Sequence, residues 1–106
     1  MAELKILAAA EEEYCAAARW YADRSLTAAD GFTKAVAAVF QRIIDRPEWG
    51  ASCDAMHRQV IVSGYPYLII YRTMGDGQLL IVAVAHASRK PGYWMHRENP
   101  TERRFY

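Results

Sequence analysis

Two kinds of hydrophobic periodicity divide the chain near residue 50. Before that point, apolar residues recur at steps of three and four, which is typical of amphipathic helices. After residue 57 they either alternate with polar residues or form a continuous apolar run, and both patterns are typical of β-strands. The sequence therefore predicts an α+β fold in which a helical hairpin precedes a sheet.

The first half begins with a short apolar run, Leu4–Leu7, that predicts a strand. The acids Glu11–Glu13 follow where the start of a helix favours negative charge, and we expect all three to face water. Beyond them, alanines and tyrosines recur at helical spacing as far as Tyr21. A first helix is therefore predicted, ending near Asp23.

A second helix is predicted from Thr27 to the residues before Pro47. Thr27 is a candidate N-cap, with Asp30 three residues later as a weak capping box. Pro47 stops the helix because the residue before a proline avoids helical geometry. The link at Ser25-Leu26 is short, so the two helices are predicted to form an antiparallel hairpin. The apolar stripe of the second helix consists of Phe32, Val36, Val39, Phe40 and Ile43.

Three strands are predicted in the second half, at 58–62, 67–72 and 79–85. Ser63-Gly64 and the segment Met74–Gly77 supply the turns, so the strands should form an antiparallel meander. The run LLIVAVA at 79–85 is apolar on both faces, yet two helices can cover only one face of a sheet. We therefore expect the opposite face to be covered by the C-terminal tail or by another polypeptide, and the isolated chain to dimerise or aggregate.

Length and composition predict one domain, residues 1–106. No apolar stretch approaches the roughly 18 residues that cross a bilayer, and the N-terminus runs into acids, so a cytoplasmic protein is expected. Cys15 and Cys53 lie far apart and are expected to be free thiols. The histidines lack metal-ligand spacing, so neither a metal nor a cofactor is predicted. Net charge is −2 over residues 1–50 and +3 over residues 51–106, a small excess for a protein that grips nucleic acid.

The order of these elements and their motifs resembles the RelE/ParE superfamily of bacterial type II toxins. The matching pieces cover about residues 3–97: Arg-Trp-Tyr at 19–21, the helix ending in DRPEWG at 45–50, Arg58, YPYLIIYR at 65–72, and IVAVAH at 81–86 leading into SRKPGYW at 88–94. The resemblance implies a toxin of a plasmid-stabilisation type of module that is neutralised by a cognate antitoxin. A homodimer, or a heterotetramer with the antitoxin, is a further expectation.

Two activities occur in this superfamily, and the resemblance implies one of them. ParE-like members poison DNA gyrase and cut nothing, whereas RelE-like members are mRNA interferases that cut messenger RNA in the ribosomal A site. Low net charge and the ending VAHASR at 84–89 favour the ParE-like activity. The RelE-like activity, and a degenerate member without toxicity, remain alternatives.

A RelE-like activity would need a base, cations for the charged phosphorane and an acid. Its candidate catalytic residues are Arg58, His86, Arg89 and Tyr93, and Arg58 with Arg89 would clamp the phosphate if both project from one face. The structural alternatives are a histidine that caps its strand, an Arg72 in solvent, and two aromatics that fold back over the sheet. For contact with a target or an antitoxin, the candidates are Arg58, Arg72, Arg89, Lys90, Tyr93 and Trp94.

Overall fold

The computed structural model describes residues 3–98, and the chain forms the predicted α+β arrangement. The elements are β1 (Leu4–Ile6), α1 (Ala8–Ala22), α2 (Leu26–Asp45), β2 (Ala51–Ser52), β3 (Arg58–Ile61), β4 (Tyr67–Thr73), β5 (Leu79–His86) and a 3₁₀ helix (Met95–Glu98). The sheet has the strand order β1-β5-β4-β3-β2. The strand β1 runs parallel to β5, whereas all other neighbours are antiparallel.

The helical hairpin differs from the prediction at its caps. The N-cap of α2 is Ser25, whose Oγ accepts a hydrogen bond from the backbone N–H of Ala28 at 3.2 Å. The predicted N-cap, Thr27, lies inside the first turn, and Asp30 forms an ion pair with Lys34 instead of closing a capping box. Serine and threonine hydroxyls can both accept a hydrogen bond from a backbone N–H at the start of a helix. The sequence pattern therefore did not separate Ser25 from Thr27 as the N-cap.

The predicted apolar stripe of α2 packs against one face of the sheet, which we call the inner face. Phe32, Val36 and Ile43 are fully buried there. Phe32 also lies at the centre of an aromatic cluster that joins both helices to the sheet, with ring centroids 5.2 to 5.9 Å from its own. The other members of that cluster are Tyr14, Tyr21, Tyr65 and Tyr67. Such contacts add to the free energy of burial because the rings meet in stacked, tilted or edge-to-face geometries.

A tyrosine at the centre of the sheet connects β4 to the loop after α2. The hydroxyl of Tyr71 donates to the carbonyl of Pro47 and accepts from the N–H of Gly50, both at 2.8 Å. Its ring lies so close to Gly50 that a Cβ there would come within 2.8 Å of it, so position 50 accepts only glycine without a shift. The loop is thereby fixed beside β2, a strand that the sequence pattern did not predict.

The opposite face of the sheet, which we call the outer face, is covered in part by the chain itself. After β5 the chain passes the Pro-Gly turn and returns, so that Trp94 is buried against the core. Its ring centroid is 4.7 Å from that of His57. Of the two covers considered from the sequence, the C-terminal tail is therefore the one present, and together with the helices on the inner face it accounts for the burial of every residue from Leu79 to Ala85.

We predict that Tyr71→Phe lowers the free energy of unfolding by about 1–3 kcal/mol, because it leaves the buried Gly50 N–H and the Pro47 carbonyl without their partner. Urea denaturation would measure the change. Tyr14→Phe is the matched control, since the Tyr14 hydroxyl has no hydrogen bond within residues 3–98. Equal losses for the two variants would contradict the role assigned to the Tyr71 hydroxyl.

A second prediction concerns the tail, whose last described residue, Glu98, accepts from Arg72 and from His57. Burial alone would raise the pKa of Glu98, but the two hydrogen bonds and the charge of Arg72 outweigh it, so the pKa lies below its usual 4.5. A carboxyl with a depressed folded pKa stabilises above its unfolded pKa and loses that contribution as pH falls through the folded value.

The stability advantage of the wild type over Glu98→Gln should therefore be constant near neutral pH and shrink as pH falls below about 4.5. Urea titrations between neutral pH and about pH 3 would measure it. Glu12→Gln, an exposed carboxyl on α1, is the control and should show a much smaller pH-dependent difference. A Glu98→Gln difference that persists unchanged at the acid end would refute the linkage.

Candidate functional site

Arg58 and Arg89, the pair expected to clamp a phosphate, do not lie on one face of the sheet. Arg58 is directly opposite Tyr71 in the β3–β4 register, and therefore on the inner face. Its Nη1 donates to the carbonyl of Gly50 at 2.7 Å. Arg89 follows the end of β5, and 54% of its side chain is exposed. The geometry thus uses Arg58 to hold a loop and leaves Arg89 available to a partner.

Arg72 is not the solvated strand-end residue that the sequence indicated. Only 15% of its side chain is exposed, and its guanidinium pairs with Glu98 of the tail. His57 bonds the other oxygen of the same carboxylate at 2.8 Å and also bonds Asp54. These contacts join β3, β4 and the tail on the outer face, so Arg72 fastens the tail.

Glu13 is a largely shielded carboxylate that sequence reasoning missed. It was expected in water with its two neighbours, yet only 16% of its side chain is exposed. Its carboxylate accepts from both Nη atoms of Arg97, from the Tyr93 hydroxyl and from the backbone N–H of Val84. The helical period contains the signal, since Glu13 lies between buried Ala10 and Ala17 at steps of three and four.

The convergence on Glu13 engages the hydroxyl of Tyr93, the candidate acid. Burial raises the pKa of the Tyr93 phenol, and the hydrogen bond to Glu13 raises it further, so the proton stays on the hydroxyl and points at the carboxylate. The guanidinium of Arg89 lies over the Tyr93 ring, 3.8 Å from its centroid, and 3.9 Å from a Glu13 oxygen. Arg89 is therefore oriented by this cluster without being enclosed in it.

His86 ends β5, and its Nδ1 accepts a hydrogen bond from the Ser88 backbone N–H and lies 2.7 Å from the Ser88 hydroxyl oxygen. Its ring meets that of Tyr67 edge-on. The structural alternative to a catalytic role was a histidine that caps its strand. The contact with the Ser88 N–H is of this capping kind. Lys90 is exposed and makes no ion pair within residues 3–98.

Two clefts flank this strand end. The first, of about 410 Å³, lies along α1 and is lined by residues that include Glu13, Trp20, His86 and Arg89. The second, of about 590 Å³, lies on the outer face between the sheet and the returning tail, and we call it the outer cleft. Its floor is Gln59, Leu68, Ile70 and Ala85, its tail wall runs from Arg89 to Met95, and Ser52, Cys53 and Asp54 form the remaining wall.

Two further observations concern metals and membranes. No group of three or more histidine, cysteine or acidic side chains within residues 3–98 is arranged to hold a metal ion. Cys15 and Cys53 are free thiols, as predicted. Neither α1 nor α2 combines the length and the apolar character that a bilayer crossing requires.

Comparison with known proteins places this geometry in a family. No curated protein was found to match the chain. A family model described as the ParE toxin of the type II toxin-antitoxin system parDE matches residues 4–91, which span β1 to the Pro-Gly turn after β5. A match over this much of the chain establishes that the protein belongs to the ParE toxin family of type II toxin-antitoxin systems.

Proposed function

We propose that the protein inhibits DNA gyrase and does so by binding, with no chemical step of its own. The observation that carries the proposal is the engagement of Tyr93, the candidate acid of an RNA-cleaving site. Its hydroxyl donates to one internal carboxylate, Glu13, which also accepts from Arg97 and from the backbone N–H of Val84. Donors that are already paired with an internal anion cannot stabilise the charge of a reacting phosphate without first releasing it.

Family membership supports the same proposal from a different direction. The ParE-like branch is the one that the resemblance connects with gyrase, and the family match is to ParE toxins. The separation of Arg58 from Arg89 adds to this, because a phosphorane is best stabilised by cations that meet on one side of it. The low net charge also fits a protein target better than a site walled by RNA phosphates.

Membership also implies a cognate antitoxin. Exposed apolar side chains at three separate places offer it a surface, namely Trp20 on α1, Ile61 on β3 and Met95 on the tail. We propose that the antitoxin covers part of this surface and thereby holds the toxin inactive. The homodimer and the heterotetramer remain predictions about the resulting assembly.

The second candidate, a RelE-like endoribonuclease, is favoured by one feature. His86, Arg89 and Lys90 lie within five residues at an open strand end, and the two cations are exposed. If this segment cut message, Arg89→Ala would abolish the cuts because it removes the cation nearest the strand end.

We predict that the purified chain inhibits DNA supercoiling by gyrase and leaves messenger RNA on stalled ribosomes intact. Supercoiling and DNA-cleavage assays with gyrase would test the first part, and primer extension on stalled ribosomes the second. Unchanged supercoiling at micromolar excess would remove the gyrase proposal. A-site cuts that Arg89→Ala abolishes would establish the RelE-like alternative, and normal host growth on induction without either effect would identify a degenerate member.

A further inference from the structure

We propose that the outer cleft is the surface that recognises the topoisomerase, and that its occupant is an extended, acidic segment of that enzyme carrying an apolar side chain. This inference rests on the proposed function and names the surface and the chemistry through which it would operate. The juxtaposition that carries it is an apolar floor on the sheet with two exposed cations, Arg89 and Lys90, on the adjoining wall.

The floor is built to receive apolar atoms. Leu68, Ile70 and Ala85 share the outer face because they are cross-strand or alternate neighbours in the β4–β5 register. Ile70 and Ala85 are almost fully buried, so half-buried Leu68 is the apolar side chain of this floor that an occupant would touch, in a cleft of about 590 Å³. Two large apolar side chains add to it from outside: Met95 on the wall, 61% exposed, and Ile61, directly opposite Leu68 and 69% exposed.

The charges around the outer cleft are unbalanced toward positive. Asp54, its acidic wall residue, is already committed, because its carboxylate accepts from the backbone N–H groups of Met56 and His57 and from the His57 ring. Lys90 has no ion pair within the described residues, and Arg89 lies 3.9 Å from an oxygen of Glu13, which already has closer donors. Carboxylates brought against this wall would therefore meet cations that are still available.

The same charges disfavour the other occupants of such a surface. A second copy of this chain, docked by two-fold symmetry, would bring two copies of the same positively charged wall into one interface. Nucleic acid would find two exposed cations beside an apolar floor, which offers little to a phosphate backbone. An acidic protein segment in extended form matches both the floor and the wall, with alternate side chains directed to each.

The first test compares two double variants that each change the net charge by −3. Arg89→Gln/Lys90→Glu alters the wall of the outer cleft, whereas Lys34→Glu/Arg46→Gln alters exposed cations of α2. We expect the concentration for half-inhibition of gyrase supercoiling to rise at least about tenfold for the first variant and less than about twofold for the second. Thermal unfolding would confirm that both fold, and Lys90→Glu alone replaces the first if it does not.

The outcomes separate this inference from the proposed function. If the wild type leaves supercoiling unchanged, the gyrase proposal fails and the inference fails with it. If the wild type inhibits and the cleft variant inhibits equally well, the surface is wrong but the function stands. Equal losses in both double variants would show a general charge effect, which also overturns the inference.

A second measurement uses the two free thiols of the unmodified chain. Cys53 is exposed and lines the outer cleft, whereas Cys15 lies on α1 outside it. With gyrase bound, we expect alkylation of Cys53 by a small maleimide to slow at least about tenfold while that of Cys15 changes by less than about twofold. Protection of Cys15 alone, or of neither thiol in a complex that forms, would place the contact elsewhere and refute the proposal.

Discussion

The constraint on which the structure depends is that β5 must be covered on both of its faces. Every residue from Leu79 to Ala85 is apolar and buried, although the helical hairpin reaches only the inner face. Burying such a strand contributes much of the hydrophobic stabilisation that a chain of this size can obtain, at about 25 cal/mol per Å² of apolar surface. The tail is therefore a structural element, and Trp94 is its main contribution to the core.

Ionic contacts fix the path of the tail. Its last two described residues have opposite charges, and each pairs with a residue of the opposite charge on a different element. Arg97 pairs with Glu13 on α1, and Glu98 with Arg72 on β4. Each pair is largely shielded from water, so losing one partner would leave the other charge poorly solvated and without its counter-charge. Two adjacent residues of opposite sign can satisfy both partners in only one orientation, which selects a single path for the tail.

A bulge interrupts β5, and side chains from α1 and the tail bond the strand's unpaired edge in the same region. The register moves by one residue beside Ile70, since Ile70 pairs with Ala83 but Tyr71 pairs with Ile81, leaving Val82 as the extra residue. β1 pairs only with residues 79–81, so the edge of β5 beyond them needs other partners. Glu13 accepts from the Val84 N–H, and Arg97 donates to the Val82 carbonyl. Side chains thus satisfy an edge that would otherwise invite another strand.

The sequence could predict the parts of the structure whose interacting residues are close together along the chain. The helical hairpin and the three main strands depend on periodicities within about ten residues, and they appear close to the predicted positions. Glu13 and Arg97 are 84 positions apart, and no local pattern connects them. The same distance explains why the tail could not be separated from an outside polypeptide as the cover of β5. The contact of Arg58 could not be predicted for a similar reason, because its partner is the backbone carbonyl of Gly50 and every residue has such a carbonyl.

These contacts bear on function because they determine which donor groups are already paired and which cations stay exposed. A site that stabilises a reacting phosphate has to keep its donors unpaired until the substrate arrives. Here the phenol, a guanidinium and a backbone N–H that could form such a site are held by Glu13, and the stability of the sheet edge depends on their staying there. Opening the cluster would expose the edge of β5 and release the tail from α1. The cations that remain exposed, Arg89 and Lys90, lie beside the outer cleft, an arrangement that suits recognition of a partner.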